Sequence, residues 1–198
     1  VITDMDVPLG FAIGNALEVA EAVKVLKGEG EEALTSLCLL LAAKMYQISF
    51  GVSEKTSISA AKRAIADGSA FKILCAAVKA QGGDEKLLTG EHKFPEPAAD
   101  LELLSPADGY ITAMNSETVG KAAAMTGAGR EKLGDCIDYS AGIILSKKYG
   151  DFVQKGERLA TLYGAPERIK DASERLLEAY LIEKSRPPKK PIVYKVIE

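Results

Sequence analysis

Residues 4–19 read Asp-Met-Asp-Val-Pro-Leu-Gly-Phe-Ala-Ile-Gly-Asn-Ala-Leu-Glu-Val, and they divide into an irregular loop and the start of a helix. Pro8, Gly10 and Gly14 lie within one short span, which predicts a loop rather than a regular element. Asn15 is a favoured N-cap residue, and apolar residues recur at helical spacing after it. The stretch therefore predicts a loop that leads directly into a helix.

Helical periodicity dominates the chain as far as residue 86. Glycines and a polar segment separate four predicted helices, at residues 15–27, 31–50, 59–67 and 69–80. The second helix is strongly amphipathic, and we expect its apolar stripe to face the core; the stripe comprises Leu34, Leu37, Cys38, Leu41, Met45 and Ile48. Residues 1–5, which lead into the loop, are expected to form the end of a buried strand in a parallel sheet.

The pattern changes at residues 87–100, where Gly90, Pro95 and Pro97 stand among scattered charges as in a linker. We therefore divide the chain into a mostly helical segment at 1–86, a linker at 87–100 and a strand-rich segment at 101–198. The last segment contains predicted strands at 101–104, 110–114, 140–146, 158–163 and 192–197, and predicted helices at 119–125 and 166–182. The Asp108-Gly109 pair predicts a hairpin between the first two of these strands.

Composition narrows the classes of function. The chain has 198 residues, 47% of them hydrophobic, which excludes a disordered protein. Its 25 basic and 28 acidic residues argue against a nucleic-acid binder that neutralises phosphates. The longest apolar run, residues 37–43, is shorter than the roughly 20 residues of a membrane span, so we expect a core helix. Three separated cysteines without Cys-x-x-Cys spacing predict a reduced, cytoplasmic setting, with Cys38 and Cys75 in the core.

Residue chemistry alone reveals no active site. His92 is the single histidine, and we expect it to be exposed in the linker. The glycines of the turn Gly127-x-Gly129 would suit a phosphate cradle. The turn lacks the Gly-x-x-x-x-Gly-Lys-Ser/Thr pattern, however, and this absence favours a structural turn. Arg130 is expected to form a salt bridge. Glu21, considered alone, is expected to lie on a solvated helix face.

Residues 4–19 closely resemble the central segment of the pyrimidine-nucleoside and thymidine phosphorylases. Further similarity follows in order along the chain, at residues 26–30, 81–84, 108–110, 127–130 and 150–157. The resemblance implies an α/β family fold of which this chain would be the C-terminal half. It would hold the helical remainder of the α/β domain and a β-rich, hammerhead-like C-terminal subdomain, so that the segment itself is α+β. A chain that opens at Val1 on a predicted strand agrees with that expectation.

Members of this family split a pyrimidine nucleoside with phosphate and release the base and a pentose 1-phosphate. The resemblance implies that the phosphate- and base-binding motifs lie in the N-terminal half, so we assign no catalytic and no cofactor-binding residue here. It also implies that nucleoside and phosphate bind through that half and that the full-length protein is a homodimer. We expect this segment alone to be inactive, and we expect neither nucleic acid nor a membrane as a partner.

The resemblance also implies a potassium ion. In bacterial members two backbone carbonyls and one carboxylate bind it, and the matching positions here are Leu9, Ala12 and Glu21. Oxygen ligands suit a hard cation, so the resemblance changes the expectation for Glu21 from a solvated side chain to a ligand. The other ligands of the family lie upstream, and the site would be incomplete in this segment.

Two alternatives stay open. The turn at residues 150–157 resembles that of biotinyl and lipoyl carrier domains, and Lys147 or Lys148 would then carry the group, although neither has the flanking residues of those domains. A second alternative is a sibling enzyme, such as an AMP phosphorylase or a thymidine-restricted form. Val7, Ala20 and Thr126 depart from common family residues and leave the subfamily open.

Overall fold

The computed structural model describes residues 1–130 and 132–197 and shows a mixed α+β fold, which confirms the predicted class. The helices are α1 (Asn15–Leu26), α2 (Glu32–Phe50), α3 (Glu54–Ala66), α4 (Ser69–Ala80), α5 (Lys86–Thr89), α6 (Ser116–Ala123) and α7 (Pro166–Leu177). The strands are β1 (Ile2–Thr3), β2 (Ala12–Ile13), β3 (Ala99–Leu104), β4 (Gly109–Met114), β5 (Gly142–Leu145), β6 (Phe152–Val153), β7 (Arg158–Gly164), β8 (Tyr180–Glu183) and β9 (Val193–Lys195). A π-helical turn, Ala124–Ala128, follows α6.

The chain divides into two compact units. Unit 1 comprises residues 1–3, 19–94 and 192–198, and unit 2 comprises residues 4–18 and 95–191. The loop at the start of the chain is thus part of unit 2, together with the strand-rich region. The linker proposed at residues 87–100 stays a prediction.

Unit 1 is helical apart from the pair β1–β9. Its helices are delimited by local signals: the Glu31 side chain accepts a hydrogen bond from Leu34 N at the start of α2, and left-handed Gly51 ends that helix. The predicted start of the next helix at residue 59 is wrong, because Ser53 caps α3 by accepting a hydrogen bond from Thr56 N. α2 packs against α3, and α3 against α4.

Unit 2 contains two antiparallel sheets. One has the strand order β2-β5-β7-β3 and the other the order β6-β4-β8. α7 packs on β3 and β7, and α6 packs on α7. The core of this unit is apolar, and its fully buried large side chains include Ile111, Ile143, Leu159, Leu162 and Leu176.

The structure corrects two predictions in unit 2. β3 and β4 do not form a hairpin, since β3 pairs with β7 whereas β4 pairs with β6 and β8. The helix predicted at 166–182 ends at Leu177, and Tyr180–Glu183 forms strand β8. β8 pairs with β4 at the edge of its sheet, and its residues alternate between more buried and exposed because successive side chains of a strand point to opposite faces.

Two further predictions are wrong in unit 1. β1 is neither parallel nor buried: it pairs antiparallel with β9, and the side chain of Ile2 is 47% exposed. Of the stripe expected to face the core from α2, Leu37 is buried, but Leu41, Met45 and Ile48 are exposed. Cys38 is exposed and Cys75 is half-buried, so neither thiol is a core residue.

The length and composition of α2 bear on the expectation of no membrane span. Among the described residues, α2 is the helix long and apolar enough to cross a membrane by these two criteria alone. A buried core helix would meet the same criteria, but only 11% of this stretch of α2 is buried, although the helix packs against α3. The expectation that a membrane is no partner stays a prediction.

Candidate cation-binding loop

The loop at residues 4–14 is held against the four-stranded sheet of unit 2. Its end forms strand β2, in which Ala12 pairs with Ile144 of β5. The Phe11 carbonyl accepts a hydrogen bond from Leu145 N at 2.8 Å. At the other end of the loop, Ser116 Oγ donates to the Met5 carbonyl at 2.6 Å. The loop backbone is therefore tied at both ends to residues far away in the sequence.

The junction of the loop and α1 differs from the predicted N-cap. Asn15 is the first helical residue, and its side chain donates to the Ala128 carbonyl at 2.8 Å instead of capping the helix. Glu18, one turn along α1, accepts a hydrogen bond from Gly14 N at 2.9 Å. Its negative charge lies where the positive end of the helix dipole favours it.

A lysine ammonium reaches the carbonyl oxygens of this loop. Lys148 Nζ donates to the carbonyl of Leu9 at 2.8 Å and lies 3.3 Å from that of Gly10. The same ammonium lies 4.6 Å from the centroid of the Phe11 ring, a cation–π distance. The loop thus presents carbonyl oxygens to a monovalent cation, here a side chain of the protein itself. A carbonyl oxygen has two lone pairs, so the Leu9 oxygen retains capacity for a second partner.

The residues implied as potassium ligands belong to different units. Leu9 and Ala12 lie in unit 2, whereas Glu21 is a half-buried residue of α1 in unit 1. Two carbonyls and a carboxylate are oxygen donors, which is the donor chemistry that a hard cation requires. Within the described residues, no group of three or more His, Cys, Asp or Glu side chains could hold a metal ion. The potassium site therefore rests on the resemblance and on donor type.

The two lysines considered for carrier attachment are both engaged in contacts. Lys147 Nζ lies 2.7 Å from Glu157 Oε1, and the hydrogen bond from Lys147 is the main reason that the pKa of Glu157 lies below its ordinary value. Lys148 is bound to the loop. Both residues lie between β5 and β6, strands of different sheets, and so do not stand at a hairpin tip. This geometry offers the carrier alternative no support.

The remaining candidates have structural partners. Gly127 has a positive φ of 108°, and its carbonyl accepts a hydrogen bond from Asp138 N at 2.9 Å, as expected of a structural turn. His92 is exposed, and its Nδ1 lies 2.6 Å from Asp84 Oδ2. The pKa of Asp84 lies below its ordinary value. The main cause is the hydrogen bond with His92, and the hydrogen bond from Lys86 N adds to it.

An ion pair that the sequence did not predict also connects the loop to the C-terminal part of unit 2. Lys190 Nζ lies 3.3 Å from Asp6 Oδ2 and 5.0 Å from the centroid of the Tyr149 ring. The hydrogen bond to Asp6 is the main cause of the raised pKa of Lys190. These residues line an open cavity of about 550 Å³. They are far apart in the sequence, so no local spacing could have signalled the contact.

Comparison with known proteins agrees with the fold. Residues 110–183 match the family described as pyrimidine nucleoside phosphorylase C-terminal domain. A Geobacillus stearothermophilus protein named pyrimidine-nucleoside phosphorylase is 40% identical over 182 residues, which cover 90% of this chain and 41% of that protein. A Staphylococcus epidermidis protein of the same name is 36% identical over 201 residues, covering 100% of this chain and 46% of that protein. The chain therefore spans less than half the length of these relatives.

Proposed function

Because the chain belongs to the pyrimidine-nucleoside phosphorylase family and carries its C-terminal domain, we propose that it is the C-terminal part of an enzyme that phosphorolyses pyrimidine nucleosides. The observation that carries this proposal is the 40% identity to a pyrimidine-nucleoside phosphorylase over 90% of the chain. The reaction transfers a pentosyl group from a pyrimidine base to phosphate. The product pair is a free base and a pentose 1-phosphate.

In this reaction phosphate attacks the anomeric carbon while the bond to the base breaks, through a transition state with oxocarbenium character. Catalysis then depends on positioning the phosphate and on stabilising negative charge on the departing base. We assign neither task to a side chain of this segment. Its role is to hold the loop at residues 4–14 in one conformation, through Lys148, Lys190 and the pairing of β2 with β5.

The proposed potassium ion would be held by the carbonyls of Leu9 and Ala12 and the carboxylate of Glu21. When bound, it would supply a positive charge that coordinates the backbone carbonyl oxygens and so holds the loop in place. The chain contributes the oxygen donors and the rigid loop that presents two of them. Lys148 Nζ already contacts the carbonyls of Leu9 and Gly10, and its positive charge would repel a divalent cation more strongly than a monovalent one, which supports a monovalent ion there.

We further propose a cytoplasmic, homodimeric full-length enzyme. Three separated cysteines without Cys-x-x-Cys spacing support a reducing compartment. The segment alone is expected to be inactive, because the family resemblance puts the phosphate- and base-binding residues outside it.

The test is a phosphorolysis assay with uridine or thymidine and inorganic phosphate, in which base release is followed by chromatography. The purified 198-residue chain should release no base. The same chain joined to the portion of the Geobacillus stearothermophilus relative outside its match should release base only when phosphate is present. Base release by the chain alone would refute the inactive-segment proposal. A well-folded joined protein that releases none with either nucleoside would refute the assigned reaction.

A further inference from the structure

The ammonium of Lys148 is bound by groups that suit a monovalent cation. Its Nζ lies 2.8 Å from the carbonyl oxygen of Leu9, 3.3 Å from that of Gly10 and 4.6 Å from the centroid of the Phe11 ring. Carbonyl oxygens and an aromatic face both attract a singly charged cation without carrying a full negative charge themselves. All four residues belong to unit 2 and are half-buried, so solvent screens these contacts only in part.

Hydrogen bonds fix the backbone on both sides of this contact. On the side of the loop, the Phe11 carbonyl accepts a hydrogen bond from Leu145 N at 2.8 Å. On the other side, Asp151 holds the backbone of Lys148. Its Oδ2 accepts from Lys148 N at 2.8 Å, and its own N donates to the Lys148 carbonyl at 3.1 Å. Because both backbones are held, the position of the ammonium at the Leu9 carbonyl is a built feature of unit 2.

Leu9 is also one of the two carbonyl donors assigned to the proposed potassium ion. Its oxygen has two lone pairs, so it can accept from Lys148 with one and coordinate an ion with the other. Two positive charges then share one oxygen atom. Their repulsion is proportional to the charge of the ion and is therefore twice as large for a divalent ion as for a monovalent ion at the same position. Oxygen donors by themselves attract the ion of higher charge more strongly, and the lysine opposes that preference.

We infer that Lys148 determines the charge selectivity of this loop, because its ammonium lowers the affinity for divalent ions more than the affinity for potassium. The inference rests on the potassium ion of the proposed function, and it does not depend on which reaction the enzyme catalyses. A lysine with a purely structural role would behave differently, since its loss would loosen the loop and weaken the binding of both ions by a similar factor. The ratio of the two affinities therefore separates these roles.

The test compares K⁺ with Ba²⁺, which has nearly the same ionic radius and twice the charge. The protein is the 198-residue chain joined to the portion of the Geobacillus stearothermophilus relative outside its match, where the resemblance puts the other ligands. Each chloride salt is titrated at constant ionic strength in tetramethylammonium chloride, without phosphate, because phosphate precipitates barium. Hydrogen exchange of peptides from residues 4–14 then gives the Kd at this loop, since an ion bound to distant surface carboxylates does not protect these amides.

Three substitutions separate charge from position. Lys148→Met removes the charge and keeps an unbranched side chain, and it should shift the ratio of the two Kd values in favour of Ba²⁺ by about tenfold or more. Lys148→Arg keeps the charge and should leave the ratio nearly unchanged. Lys147→Met is the matched control, because it removes a neighbouring positive charge that is paired with Glu157, and it should also leave the ratio nearly unchanged.

Three outcomes would overturn the inference. The first is a Lys148→Met variant that binds both ions more weakly at an unchanged ratio, which would leave Lys148 a positioning role alone. The second is a shift in Lys148→Arg as large as that in Lys148→Met, which would exclude charge as the cause. The third is an unchanged protein whose loop neither ion protects, which would refute the potassium proposal as well. Base release from uridine is measured separately with K⁺ and phosphate, so a shifted ratio without base release would count against the assigned reaction alone.

Discussion

At the scale of single residues, Lys148 is the side chain that connects the loop at residues 4–14 with the sheet region. Its ammonium makes charge-assisted contacts with the carbonyls of Leu9 and Gly10 and lies over the Phe11 ring in a cation–π contact. Such hydrogen bonds are stronger than neutral ones, and a half-buried site screens them less than open solvent does. The conformation of the proposed cation loop therefore depends on a residue 139 positions away in the sequence.

We predict that Lys148→Met lowers the free energy of unfolding by about 1–2 kcal/mol, because carbonyls of the loop lose a charged donor. Lys147→Met is the matched control. Its ion pair with Glu157 joins side chains that are 28% and 36% exposed, and solvent screens such a pair, so its loss should cost clearly less than the loss of Lys148. Urea unfolding followed by circular dichroism measures both values. Equal losses in the two variants would contradict the anchoring role of Lys148.

At the scale of elements, the contact of β2 with β5 depends on two glycines. A Cβ on Gly142 would lie 2.3 Å from the Ile13 carbonyl oxygen, and a Cβ on Gly14 would lie 2.5 Å from that of Ala141. Both clashes are with backbone, which cannot rotate away as a side chain can. The two backbones therefore approach closely because neither position has a side chain.

We predict that Gly142→Ala destabilises the protein by about 2–4 kcal/mol, since positive-φ strain adds to the steric cost at a packed position. Gly156→Ala is the matched control, because Gly156 also has a positive φ, of 83°, but no atom lies within 4 Å of the added Cβ. Gly156→Ala should lower the free energy of unfolding by about 1 kcal/mol, from backbone strain alone. Denaturant unfolding of both variants tests the difference, and hydrogen exchange at Leu145 N reports whether β2 has separated from β5. Similar losses in the two variants would show that close approach is not what Gly142 provides.

An element could be predicted where nearby residues determine it, and could not where residues far apart in the sequence determine it. α4 begins and ends where local residues predict, because left-handed Gly68 stands before it and the apolar period is regular. Strand partners could not be predicted in this way: Asp108-Gly109 has the composition of a hairpin turn, yet the chain passes there from one sheet to another. The exposure of Met45 and Ile48 was equally hidden, because periodicity identifies an apolar face without identifying what covers it. Leu9, Ala12 and Glu21 came from the resemblance alone, and the structure adds the Lys148 contact that no local pattern contains.

At the scale of the whole molecule, burial is distributed unequally between the two units. The connected apolar core, from Leu103 to Tyr180, belongs to unit 2. The buried apolar residues of unit 1 are fewer: Val23, Val25, Leu37, Ala43 and Leu88. Because the stability of a unit grows with the apolar area that it buries, unit 2 is expected to be the more stable of the two.

We therefore predict that the chain unfolds in two steps, with unit 1 unfolding at the lower urea concentration. Hydrogen exchange resolved by peptide mass spectrometry should show loss of protection in α2 and α3 before β5 and β7. Paired core truncations assign the steps. Leu37→Ala should shift the first step and Leu162→Ala the second, each by about 2–5 kcal/mol, because each removes buried methylene groups from one unit. A single transition that both variants shift equally would show that the units fold as one cooperative structure.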